Sequence, residues 1–157
     1  MFLKSTTIQG VSGSGNMLTL SLVFNPTKDK VLMCFHKKIG MYNFLGGRAS
    51  YDETGMDVSY RELQEESGIT KDDIELVFVR EEFARSRARY YEKHNLNNEW
   101  CIYVTAGVLK HNVILVPEKN ELFWIDITDD DHFTKKSAGL GNCWLYLHEA
   151  MDILNIQ

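Results

Sequence analysis

The chain has 157 residues, 44% of them hydrophobic and 25% charged, with a formal net charge of −5. That length suits one core-forming domain spanning 1–157. The composition excludes a disordered chain, and the negative charge argues against a surface that grips a nucleic acid polymer. Cys34, Cys101 and Cys143 are scattered, giving neither a zinc knuckle nor a disulfide framework. The N-terminal MFLKSTTIQG turns polar after three residues, and no apolar run reaches membrane-spanning length. A soluble cytoplasmic protein without membrane contact is expected.

In chain order, Gly10 to Asn16 (GVSGSGN) reads as a turn between two early strands. Met17 to Asn25 partly alternates and Lys30 to His36 is a short apolar run. The turn residues Asn25-Pro26-Thr27-Lys28-Asp29 between them predict a hairpin. Met56 to Ser67 follows helical periodicity, with Met56, Tyr60 and Leu63 as its apolar stripe and Gly68 at the left-handed stop. Ile74 to Phe83 and Trp100 to Leu109 are predicted strands, separated by a long charged and aromatic loop, Ala84 to Glu99. Glu121 to Ile127 alternates as a further strand. Asn142 to Leu154 closes the chain as an amphipathic helix, with Trp144, Leu147, Met151 and Leu154 on its apolar side. The predicted order is β-β-α-β-β-β-α, an α/β protein with a mixed sheet flanked by helices.

On the first helix Glu62, Glu65 and Glu66 fall at i, i+3 and i+4 and so share one face. Like charges at that spacing repel. An acidic helix is ordinarily a solvated face. Oxygen-only donors in this number also suit a hard divalent cation, Mg²⁺ or Mn²⁺, and not zinc or copper.

The run from Gly47 to Ile69, GRASYDETGMDVSYRELQEESGI, carries Gly47, Glu53, Arg61-Glu62-Leu63, Glu65-Glu66 and Gly68-Ile69 at fixed spacing. At every defined position it resembles the box of the Nudix hydrolase family, MutT-like members included. The resemblance implies a Nudix fold, an α/β/α sandwich with a mixed β-sheet. It implies Mg²⁺-dependent (or Mn²⁺-dependent) hydrolysis of a nucleoside diphosphate linked to another group. Carried over residue by residue, Glu62, Glu65 and Glu66 would bind the cation with the backbone carbonyl of Gly46, and Glu53 would pair with Arg61 to brace the loop. The catalytic set is then Glu62, Glu65, Arg61 and Glu53, with Glu62 or Glu65 taking a proton from water. Some relatives use a glutamate outside the box, and Glu118 is the counterpart here. Two positions depart from the family pattern: Leu45 where proline is usual, and Asp52 where glycine is usual.

Asn43, four residues before Gly47, sits at an offset similar to that of a base-contacting Asn in relatives that act on oxidised purine nucleotides, and is equally a turn former. Arg85, Arg87 and Arg89 of the long loop offer phosphate-binding forks, against the ordinary reading of a solvated charged loop. The resulting expectation is hydrolysis of a nucleoside triphosphate, such as an oxidised purine deoxynucleotide like 8-oxo-dGTP, to the monophosphate and pyrophosphate. The alternatives are hydrolysis of ADP-ribose or another nucleoside diphosphate derivative, and a nucleotide-binding module without turnover. The partner would be a small-molecule nucleotide, and relatives are often homodimers.

Overall fold

The computed structural model describes residues 16–50, 52–85, 93–94, 99–139 and 141–157. Six strands, β1 (Met17–Phe24), β2 (Lys30–His36), β3 (Met41–Asn43), β4 (Val77–Arg85), β5 (Glu99–Val108) and β6 (Leu122–Asp126), form one mixed sheet. Its order is β3-β2-β1-β5-β4, with β6 pairing β2. β1 runs parallel to β5 over its whole length and meets β2 antiparallel at Phe24 and Val31. Helix α1 (Gly55–Ser67) covers one face; the short α2 (Asp130–Lys135) and α3 (Asn142–Leu154) belong to the other.

The two-residue period of the strands divides the core between those faces. Leu20, Leu22 and Phe24 of β1, with Val31 and Met33 of β2, pack with Phe133, Tyr146, Leu147 and Ala150. Val23, Leu32 and Cys34 point the other way, to Leu45, Leu63 and Ile69, with Met56 and Tyr60 partly buried beside them. The α/β/α sandwich is thus built by alternation along β1 and β2.

Local chemistry explains the ends of α1. Thr54 caps it by accepting from the Asp57 amide, and Gly68 ends it at φ 81°, its N–H returning to the Gln64 carbonyl. The segment after Asn43 is extended and antiparallel to β1: Ser21 N–H donates to the Leu45 carbonyl at 2.7 Å and Thr19 N–H to the Gly47 carbonyl at 2.9 Å. Successive peptides in an extended chain face opposite edges, so the Gly46 peptide points away from β1, toward α1.

Several expectations are revised. β3 and α2 are additional elements, giving the order β-β-β-α-β-β-β-α-α among the described residues. Three residues are too few to display a period, and α2 is little more than one turn, although Asp129 supplies its cap by accepting from the His132 amide. The strand expected from Ile74 begins at Val77, because the Leu76 N–H is taken by the Tyr60 hydroxyl at 2.8 Å. Ile74 keeps only an isolated bridge to Leu109. The same strand runs on to Arg85, pairing Ala84 with Trp100 and Arg85 with Glu99, so the long loop starts two residues later than expected. On α3 the buried side is Cys143, Tyr146, Leu147 and Ala150, whereas Trp144 lies outside and donates to Asp130 Oδ1 at 3.2 Å. Gly10 to Gly15 of the expected first turn lie outside the described residues.

Gly46 has no room for a side chain, since a Cβ there would sit 1.7 Å from the Thr19 carbonyl oxygen. Gly46→Ala should therefore lower the unfolding free energy by about 3 kcal/mol or more, measured by urea denaturation. A loss below about 0.5 kcal/mol would show that the loop and β1 can separate freely.

Candidate active site

Glu62, Glu65 and Glu66 occupy the C-terminal half of α1, the negative end of the helix dipole, and no basic residue lies in its last turn. Mutual repulsion and the dipole therefore act in the same unfavourable direction. Arg61 offsets part of it. Its Nε donates to Glu53 Oε2 at 2.6 Å and its Nη2 to Glu53 Oε1 at 2.8 Å, a bidentate fork. Nη1 donates to Glu62 Oε2 at 2.7 Å and reaches Glu65 Oε1 at 3.3 Å. Nη2 also donates to the Arg48 carbonyl at 3.1 Å, and Glu53 accepts from the Ser50 amide at 2.9 Å. One guanidinium thus joins the loop after Gly47 to the acidic face.

The hydrogen bond from Arg61 holds the Glu53 carboxyl below its ordinary range, against a smaller opposing effect of burial. Glu62 is raised, chiefly by burial, although Arg61 pulls it down. Glu66 is the most perturbed of the three: burial pushes it up to about 7, helped by the charges of Glu62, Glu118 and Glu65 and opposed by the Gly46 N–H, which donates to it at 2.9 Å.

Glu62, Glu65 and Glu66 line a cleft of about 240 Å³ together with Glu118, Lys119, Asn120, Leu122 and Cys34. Gly47 makes room for it: a Cβ there would lie 2.3 Å from the Glu62 carboxyl carbon. The loop bearing Glu118 is fastened to the end of α1, where the Val116 N–H donates to the Ser67 carbonyl at 2.9 Å. Among the described residues no three carboxylate, imidazole or thiol groups are already gathered as a finished cation cage. The donor set nonetheless fits a hard divalent cation: four carboxylates border one small cleft, two are raised by burial, and the Gly46 peptide faces the same helix.

The remaining candidates are placed unevenly. Asn43 turns toward α3, its carboxamide oxygen accepting from the Phe44 amide at 2.8 Å and lying 3.7 Å from Cys143 Sγ. It does not line the cleft, but its backbone carbonyl accepts from Cys34, which does. Arg85 ends β4, while Arg87 and Arg89 lie outside the described residues. Leu45, in place of the usual proline, is fully buried against Leu63 and Ile69, and Asp52 is exposed, so neither departure displaces a carboxylate. Cys34, Lys119 and Asn120 had no signal in the sequence. The first comes from a strand and the others from a loop that only the fold brings to the box.

The profile described as NUDIX domain matches residues 17–139, and the chain belongs to that family of hydrolases. No curated protein matches the sequence. Among solved structures, the fold is similar to the dihydroneopterin triphosphate pyrophosphohydrolase of E. coli (TM-score 0.67, 15% identity, covering 89% of this chain and 96% of that one). It is similar to the MutT protein of Bacillus halodurans (0.64, 19%, 84% and 82%). It is also similar to the NUDIX domain of Shewanella oneidensis NrtR, solved with ADP-ribose (0.65, 12%, 90% and 89%). At these identities the likeness is one of fold. Among the described residues no helix is long and apolar enough to cross a membrane.

The raised Glu66 fixes the sign of a pH effect. Its carboxyl titrates near 4.5 when unfolded and near 7 when folded, so between those values the folded chain holds more protons and loses stability as pH rises. After EDTA treatment, Mg²⁺ should raise Tm more at pH 8 than at pH 5.5, and Glu66→Gln should remove most of that difference. Equal Mg²⁺ shifts at both pH values in the unmodified protein would contradict this account.

Proposed function

We propose that this NUDIX-family chain is a pyrophosphohydrolase that cleaves a nucleoside triphosphate to the monophosphate and pyrophosphate, with an oxidised purine deoxynucleotide such as 8-oxo-dGTP as the substrate to try first. The observation that carries the reading is the shared cleft of Glu62, Glu65, Glu66 and Glu118 beside the Gly46 peptide. Glu62, Glu65 and Glu66, with the Gly46 carbonyl and Glu118, would hold Mg²⁺ or Mn²⁺. When bound, the cation supplies charge neutralisation for phosphate oxygens and lowers the pKa of a water.

The chain's own groups divide the rest of the work. Glu62 or Glu65 accepts the water's proton, with Glu118 as the counterpart from outside the box. Arg61, fixed by its fork on Glu53, keeps the loop and the acidic face in register. Lys119, lining the same cleft, supplies a cation for a phosphate oxygen. Asn43 contacts the base, and Arg85, Arg87 and Arg89 contact the phosphates. The active unit is the single domain of 1–157, acting on a small nucleotide in the cytoplasm as a homodimer.

A second reading, hydrolysis of ADP-ribose or another nucleoside diphosphate derivative, keeps the same cleft. A nucleotide panel with Mg²⁺ and product analysis separates the two. If no nucleotide is turned over while one still raises Tm, the chain is a binding module. Glu65→Gln and Glu66→Gln should each reduce kcat on the best substrate by about 10²-fold or more, with the fold intact by circular dichroism. Near-unchanged rates in both would refute the assignment. Lys119→Ala should raise KM several-fold and leave kcat within about a factor of three. An unchanged KM would remove Lys119 from the phosphate site.

A further inference from the structure

We propose that His132 is an acid-sensitive latch: while its imidazole is neutral it holds α2 and the strap after it against β3, and when it takes a proton it releases them.

The burial of His132 is chemically unusual. The residue is 6% exposed, and among the described residues neither ring nitrogen has a hydrogen-bond partner, although buried polar groups are ordinarily paired. Its surroundings are aromatic. The Tyr42 ring centroid lies 4.4 Å away and that of Phe133 5.4 Å, and Tyr42 in turn meets Phe35 and Phe123 edge-on. A neutral imidazole packs there as one more flat ring. An imidazolium would be a buried charge with two unanswered N–H donors.

The groups around it do not answer a proton. Burial lowers the imidazole below its ordinary range; Asp129 opposes this and Lys136 adds to it. The Asp129 carboxylate is committed to the His132 amide at 3.2 Å, Asp130 accepts from Trp144, and Asp131 pairs with Lys135. β3 presents the Tyr42 phenol, and Asp126 of β6 is bonded to Thr128. α3 packs Cys143 and Tyr146 in the cluster that holds Phe133, both kept neutral by burial, with His148 stacked behind Trp144.

The latch has a defined moving part. Past α2 the chain pairs with β3: the Tyr42 N–H donates to the Lys136 carbonyl at 2.9 Å, and the Ala138 N–H to the Tyr42 carbonyl at 2.8 Å. Between them the Ser137 hydroxyl donates to the His132 carbonyl at 2.9 Å. Opening at His132 therefore frees one edge of β3. The next residue of that strand is Asn43, whose carbonyl accepts from Cys34 in the wall of the carboxylate cleft. The sign follows from the burial. An imidazole exposed by opening titrates near 6.5, above its closed value, so the latch holds fully above that pH and weakens as pH falls through and below it.

Hydrogen exchange of single backbone amides, read by NMR on the whole chain as protection factors at pH 7.5 and 5.5, tests this. One pH unit below 6.5, an open state that binds the proton gains about tenfold in population. Protection of the Tyr42 and Ala138 amides should fall by about that factor. The Leu109 amide, bonded to the Phe24 carbonyl in the core, should stay within about threefold. His132→Phe should keep the protection seen at pH 7.5 and abolish the fall. Independently of any variant, the His132 ring resonances of the unmodified protein should remain those of the neutral form at pH 6. An equal fall at all three amides, no fall at any, the same fall in the variant, or a ring that titrates at its ordinary value would overturn the latch.

Discussion

Arg61 grips Glu53 with two hydrogen bonds and Glu62 with a third, and thereby lets three carboxylates coexist at the negative end of one helix. Without it, repulsion among Glu62, Glu65 and Glu66 would add to the dipole, and the loop from Gly47 to Thr54 would lose its anchor on α1. The compensation is incomplete: Glu66 gains only the Gly46 N–H and stays raised to about 7 by burial and by its neighbours' charge. That residual imbalance is the physical argument for a divalent cation in the cleft.

The glycines make this arrangement possible sterically. Gly46 presses on the Thr19 carbonyl and Gly47 on the Glu62 carboxyl, so the loop passes between β1 and α1 at a distance no side chain allows. The same strand segment fixes which way the peptides face. Leu45 and Gly47 carbonyls are used by β1, leaving the Gly46 peptide toward the acidic helix. Ordinary sheet hydrogen bonding thus aims a backbone group at the carboxylates. On its other side α1 is held by the burial of Leu63 and by the Tyr60 hydroxyl on Leu76.

What was legible in the sequence follows from range. The first helix, its shared acidic face and the left-handed Gly68 are encoded within a short span, where spacing alone implies them, whereas the Glu53–Arg61 partnership was legible only through the resemblance of the box to its family. β2 and α3 have the expected bounds because composition changes sharply at both ends. β3 and α2 were too short to carry a period. The buried face of α3 was misjudged at Trp144 because hydrophobicity does not say whether an indole faces the core or, as here, Asp130 and His148 across the helix surface. Cys34 and Lys119 could not be read at all, since each joins the cleft through long-range strand pairing and loop placement.

The most direct test of the central claim is anomalous X-ray diffraction from crystals of the protein grown with Mn²⁺. The account predicts a peak inside the cleft, about 2.1 Å from carboxylate oxygens of Glu62, Glu65 or Glu66, with Arg61 still on Glu53. A peak only at other sites, or a cleft in which Arg61 alone balances the carboxylates, would contradict it.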